Sequence, residues 1–77
     1  MTLEQIRALH QAQPFRPFVL HLPDGRDLAV PHRDFMWLPP SGRTIVVYRP
    51  DDTFHIVDLF LVGDVEVRPG PQPQTND

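Results

Sequence analysis

Leu22-Pro23-Asp24-Gly25-Arg26-Asp27 is the stretch that decides the fold. Its Asp-Gly pair stands between two alternating apolar runs, Phe18/Leu20/Leu22 and Leu28/Val30, and supplies the positive backbone angles that a tight hairpin demands. Strands are therefore expected over residues 18–22 and 26–30, and the chain reads as mainly β. Working outward, Pro31 ends regular pairing, and Asp34 to Leu38 forms a further run before the turn Pro39-Pro40-Ser41-Gly42. Residues 43–48 are apolar on both faces at Ile45, Val46 and Val47, the pattern of a covered central strand. A third turn, Arg49-Pro50-Asp51-Asp52, precedes a strand from Phe54. A single helical turn around residues 58–61 is expected next, followed by the clean alternation of Val65-Glu66-Val67.

Before these strands the pattern is helical. Thr2 with Gln5 fits a capping box, Leu3, Ile6 and Leu9 recur on one side, and Pro14 forces an exit. A helix over residues 3 to about 13 is expected, too short to be stable unless its apolar stripe packs on the sheet. Phe15 and Phe18 are expected to wedge the two together. The architecture implied is an N-terminal helix followed by a five- to six-stranded, strongly bent antiparallel sheet or small barrel. Residues 1–68 make one domain, and residues 69–77, with no large apolar anchor, are expected to be disordered.

Composition narrows the function classes. All seven cations are Arg, spread singly along the chain against ten acids, for a formal net charge of −3, so a polyanion partner is not favoured. There is no Cys, and a body this small buries only about 60% of its unfolded surface, so oligomerisation is the stabilising device left open. The start lacks a charged segment followed by an apolar one, and no apolar run approaches a membrane span. A soluble, cytoplasmic protein without membrane contact is expected.

The order helix, strand, Asp24-Gly25-Arg26 turn, bent strand, hairpin, and Ile56-Val57-Asp58-Leu59 leading into Val65-Glu66-Val67 resembles the Sm-like small barrel. That resemblance implies a helix ahead of five bent strands, protomers joined edge to edge through the last two strands, and, in many members, RNA binding. Pro14-Phe15-Arg16-Pro17-Phe18, Val30-Pro31-His32, Asp34-Phe35 and Ser41-Gly42-Arg43-Thr44 are similar to stretches in a set of short uncharacterised bacterial proteins, which bring no activity with them. Where RNA-binding Sm-like proteins carry stacking and basic residues, this chain has the acidic Gly63-Asp64-Val65-Glu66.

His10, His21, His32 and His55 invite a metal reading, but no pair has the spacing of a closed site, so no metal or other cofactor is expected. His21 and His55 are expected on the sheet faces opposite Leu20/Leu22 and Phe54/Ile56, becoming neighbours if their strands pair. Ser41, His32 and Asp34 or Asp58 would make a hydrolytic set, but nothing in the sequence gathers them, and no enzyme is expected. Arg16 and Asp58, each a charge in an apolar segment, are expected either to pair or to reach water separately. Phe35, Met36, Trp37 and Leu38, with Tyr48 nearby, make a short run apolar on both faces, of which one requires a cover. The expected function is a noncatalytic protein–protein interaction module, a homo-oligomer with a further unknown protein partner, contacting through these residues or the last strand. RNA binding is the alternative.

Overall fold

The computed structural model describes residues 1–69; the disorder expected for the tail falls, from residue 70 on, outside them. A helix, α1 (Leu3–His10), precedes six strands: β1 (Phe18–His21), β2 (Asp27–Val30), β3 (Met36–Trp37), β4 (Thr44–Tyr48), β5 (Phe54–Asp58) and β6 (Asp64–Val67). The capping box forms as expected, Thr2 Oγ1 accepting from Gln5 N–H at 3.2 Å while Gln5 Oε1 accepts from Thr2 N–H at 3.0 Å. The helix stops at His10, short of residue 13. Its end is held by Arg33, which donates to the carbonyls of His10 and Ala12, placing a cation at the negative end of the helix dipole.

The strands do not make one bent sheet or a closed barrel. They form two three-stranded antiparallel sheets, in the orders β2-β1-β6 and β3-β4-β5. The break lies after Val30, because Pro31 has no N–H to donate, and the run expected as a strand from Asp34 instead begins as a 3₁₀ turn, Arg33–Phe35. Only Met36 and Trp37 remain to pair with β4. A second 3₁₀ turn, Leu59–Leu61, lies where a helical turn was expected; Asp58 caps it by accepting from Phe60 N–H at 2.9 Å.

The decisive hairpin forms, with a correction to its turn. Gly25 N–H donates to Leu22 O, Leu22 N–H donates to Arg26 O, and only Gly25 has a positive φ, at 90°. Pro23 fixes a negative φ at the first corner, so the loop has three residues, a turn followed by a left-handed Gly, rather than the two-residue form. Arg49-Pro50-Asp51-Asp52 repeats this design with Asp52 left-handed at φ 71°. In both turns the Asp side chain accepts from the backbone two residues on, Arg26 and Thr53 respectively.

Both sheets contribute to a single core. Phe18, Leu20, Leu22, Leu28 and Val30 from the first hairpin meet Met36, Ile45, Val47 and Val57 from the second sheet, with Ile6, Leu59 and Val62 closing the cluster. Phe15 packs beside Phe18, ring centroids 5.8 Å apart. Gly42, φ 70°, lies under the helix, where an added Cβ would overlap the end of the Leu3 side chain; at Gly25 an added Cβ would meet nothing within 4 Å. Gly25→Ala is expected to cost about 1–2 kcal/mol, the left-handed backbone penalty alone. Gly42→Ala is expected to cost more, and urea titration of both variants isolates the Leu3 contact.

Candidate functional site

Side-chain alternation gives the two sheets unlike outer faces. In the second sheet, β4 pairs Val46 with Trp37 of β3 on one side and with Ile56 of β5 on the other. These three point away from the core, as do Tyr48 and Phe54, which face one another across β4 and β5 with rings 5.9 Å apart. Exposure is high for apolar groups: Trp37 and Phe54 are each 55% exposed, and Ile56 is 69% exposed. At the far end, Arg43 reaches Asp58 at 3.3 Å and lies 4.5 Å over the ring of Phe60, extending the surface past the sheet. With aromatic side chains contributing on the order of 200 Å² each when fully bare, the patch is of order 500 Å², the size that marks contact surfaces.

The structure redistributes the residues expected at this surface. Trp37 and Tyr48 are on it. Met36 is not, because strand alternation turns it into the core, where it is buried. Leu38 is half-buried against the same core, and Phe35, held in the 3₁₀ turn, is half-buried with its ring 6.0 Å from His32. Val46, Phe54 and Ile56 were missed. His55 lies on the face opposite Phe54 and Ile56, as expected, and the buried Val57 shows that the face of Phe54 and Ile56 is the outer one. His55 lines a groove of about 230 Å³ with Leu28, Pro31, Val47, Tyr48 and Pro50. β4 is central in its sheet, but its outer face is open rather than covered.

The first sheet's outer face has Val19 and Ala29 at one end and is charged at the other. His21 lies between Asp27 of β2 and Asp64 of β6, its register partners. Nδ1 is 2.7 Å from Asp27, and Nε2 is 3.3 Å from Glu66 and 3.9 Å from Asp64. The hydrogen bond to Asp27 first, then that to Glu66, raises its pKa from the ordinary 6.5. A raised folded-state pKa contributes stability that is complete below 6.5 and fades as pH rises through the shifted value. The unfolding midpoint is therefore expected to fall from pH 6 to pH 8, and in His21→Gln this part of the fall disappears. Equal slopes for the two proteins in thermal melts would contradict the clamp.

The remaining candidates are dispersed. Arg16 and Asp58 do not pair: Arg16 donates to the carbonyl of Arg68 at 3.1 Å, and Asp58 engages Arg43. The entry segment thus crosses the end of β6 rather than meeting β5. Asp58's pKa is lowered, chiefly by the Phe60 N–H and then by Arg43. His21 and His55 lie in different sheets. His10 Nε2 contacts the carbonyls of Arg33 and Met36 at 3.1 and 3.0 Å, which assigns the proton to that nitrogen. Among the described residues no three His, Cys, Asp or Glu group as metal ligands. Ser41, His32 and Asp34 are exposed and share no hydrogen bond with one another or with Asp58 among those residues. Nor is any described helix long and apolar enough to cross a membrane. The chain matches no family model, and the comparisons with curated proteins and with solved structures likewise produced no match.

Proposed function

We propose that this protein is a noncatalytic interaction module that self-associates through its second sheet. The observation that carries this reading is the cross-strand row Trp37–Val46–Ile56, apolar and open to solvent, on a chain whose other sheet face carries His21, Asp27, Asp64 and Glu66. A stable interface takes about 800 Å² from each partner, and the apolar patch, of order 500 Å², supplies more than half of that. A body of this size also gains more than a large domain does from burying surface against another copy.

Single-stranded RNA is the second reading. Bare Trp37, Tyr48 and Phe54 with arginines nearby are the kind of surface on which unpaired bases stack, and the Sm-like proteins that the sequence resembles both self-associate and bind RNA. The net charge of −3 weighs against it. Light scattering during size exclusion is expected to give a mass at least twice the 8.9 kDa of the chain, and titration with single-stranded RNA at low salt is expected to give no binding. A monomer that binds RNA with steep salt dependence would reverse the order of the two readings.

A further inference from the structure

The turn that decides the fold also holds the peptide link most open to rearrangement. Asp24 is the one Asp or Asn in the sequence followed by glycine, so no side chain at residue 25 shields the amide nitrogen beside the Asp24 carboxyl. An added Cβ on Gly25 would meet nothing within 4 Å, which leaves open space around the link, and the Asp24 side chain is itself 56% exposed. In a flexible chain such a pair closes on itself. Gly25 N attacks Asp24 Cγ, a C–N bond forms, a C–O bond of the carboxyl breaks, and the amide proton leaves with the hydroxyl as water, giving a succinimide ring. Water then opens the ring at Cγ, restoring aspartate, or at the Asp24 main-chain carbonyl, leaving isoaspartate, in which the backbone runs through the side chain.

The folded turn engages the groups that this reaction needs. Gly25 N–H donates to Leu22 O at 3.0 Å. Asp24 Oδ1 accepts from Arg26 N–H at 3.1 Å, and Oδ2 accepts from Arg26 Nε–H at 2.8 Å. Ring closure breaks the first of these bonds, since the succinimide nitrogen has no proton, and removes an oxygen from one of the other two. It also requires a protonated carboxyl, because an ionised one repels the nucleophile and offers no leaving group. The Arg26 N–H, and then the guanidinium, favour the ionised form and lower the carboxyl's pKa from the ordinary 3.8.

We infer that Asp24-Gly25 is an isoaspartate-forming modification site that Arg26, through its backbone amide and its side chain, holds closed in the folded chain. Rearrangement there damages the hairpin. Isoaspartate adds one backbone carbon to the loop between Leu22 and Arg26, whose closing bond, from Leu22 N–H to Arg26 O, is 2.9 Å long. That closure leads into the register that sets Leu20 opposite Leu28 and Phe18 opposite Val30, all four in the core. The second turn of the same design lacks this weakness. Asp51 is held in the same way by Thr53, but the residue after it is Asp52, whose side chain crowds the attacking nitrogen.

Incubation of the full chain at one mildly acidic pH, folded and in urea, tests this, with isoaspartate located and quantified by electron-transfer mass spectrometry. The folded parent is expected to form it at residue 24 at least about tenfold more slowly than the unfolded one, because ring closure waits on local opening of the turn. Folded Arg26→Gln keeps the residue 26 amide and loses the guanidinium. With its fold checked by circular dichroism, it is expected to react about two- to fivefold faster than the parent, the range of an exposed ion pair. Equal rates for the folded and unfolded parent, or for folded Arg26→Gln and folded parent, would overturn the clamp. No isoaspartate at residue 24 in urea would overturn the site itself.

Discussion

Replacing Ile6 with alanine is expected to destabilise the fold by about 2–5 kcal/mol, the usual cost of truncating a fully buried aliphatic chain. At the general scale of 0.05–0.15 kcal/mol per residue, a domain of this length has roughly 4–11 kcal/mol in total. The loss would therefore consume much of the margin. Ile6 is 0% exposed and is the one buried residue of α1, so its side chain is the main apolar tie between helix and core. Thr2 and Arg33 hold the two helix ends, but neither replaces that burial. Urea unfolding is expected to show a lower midpoint at unchanged slope. A midpoint within 0.2 M of the parent would mean that the helix is dispensable to the core.

Ile56→Lys is expected to have the opposite profile. The residue is 69% exposed in the single chain, so its loss should change folding stability by no more than about 0.5 kcal/mol. In an assembly that covers the second sheet's outer face the same position lies within the buried apolar row, where an ammonium group would be desolvated. The dissociation constant is expected to rise by at least about 100-fold, equivalent to roughly 2.8 kcal/mol at 1.4 kcal/mol per tenfold. Sedimentation equilibrium of the variant beside the parent checks this. Unchanged association would remove Ile56 from the interface.

Much of the fold was legible because local signals and tertiary demands agree. The capping box at Thr2 and Gln5, the turn at Pro23-Asp24-Gly25 and the alternation of Val65-Glu66-Val67 each describe neighbours in sequence, and each specifies a local geometry that the fold keeps. What failed depended on partners far along the chain. The division into two sheets follows from Pro31 withholding a donor just where β2 would have continued into β3. The inward parity of β5 is set by Val57, whose register partner is the buried Ile45. In Phe54-His55-Ile56-Val57, apolar residues occupy both parities, so alternation alone could not choose a face. Asp58 offered a signal: it shares parity with Phe54 and Ile56, and a carboxylate seeks the outer side.

The candidate surface was half legible for the same reason. Trp37 and Tyr48 stood out as large aromatics beside turns, and the structure puts both on the open face of the second sheet. Their association with Phe54 and Ile56 comes only from strand register. Asp58 stands out in the sequence as a charge in an apolar run, but its partner is Arg43, whose neighbour Thr44 pairs with Asp58 across the ladder. Arg16, far from that ladder, had no route to it.

A dilution series of amide chemical shifts maps self-association through the second sheet without altering a residue. Shifts that depend on concentration are expected at Trp37, Val46, Phe54 and Ile56, with Val19, His21 and Glu66 of the first sheet unmoved. Spectra that superimpose from dilute to concentrated protein, or changes confined to the first sheet, would contradict self-association through the second.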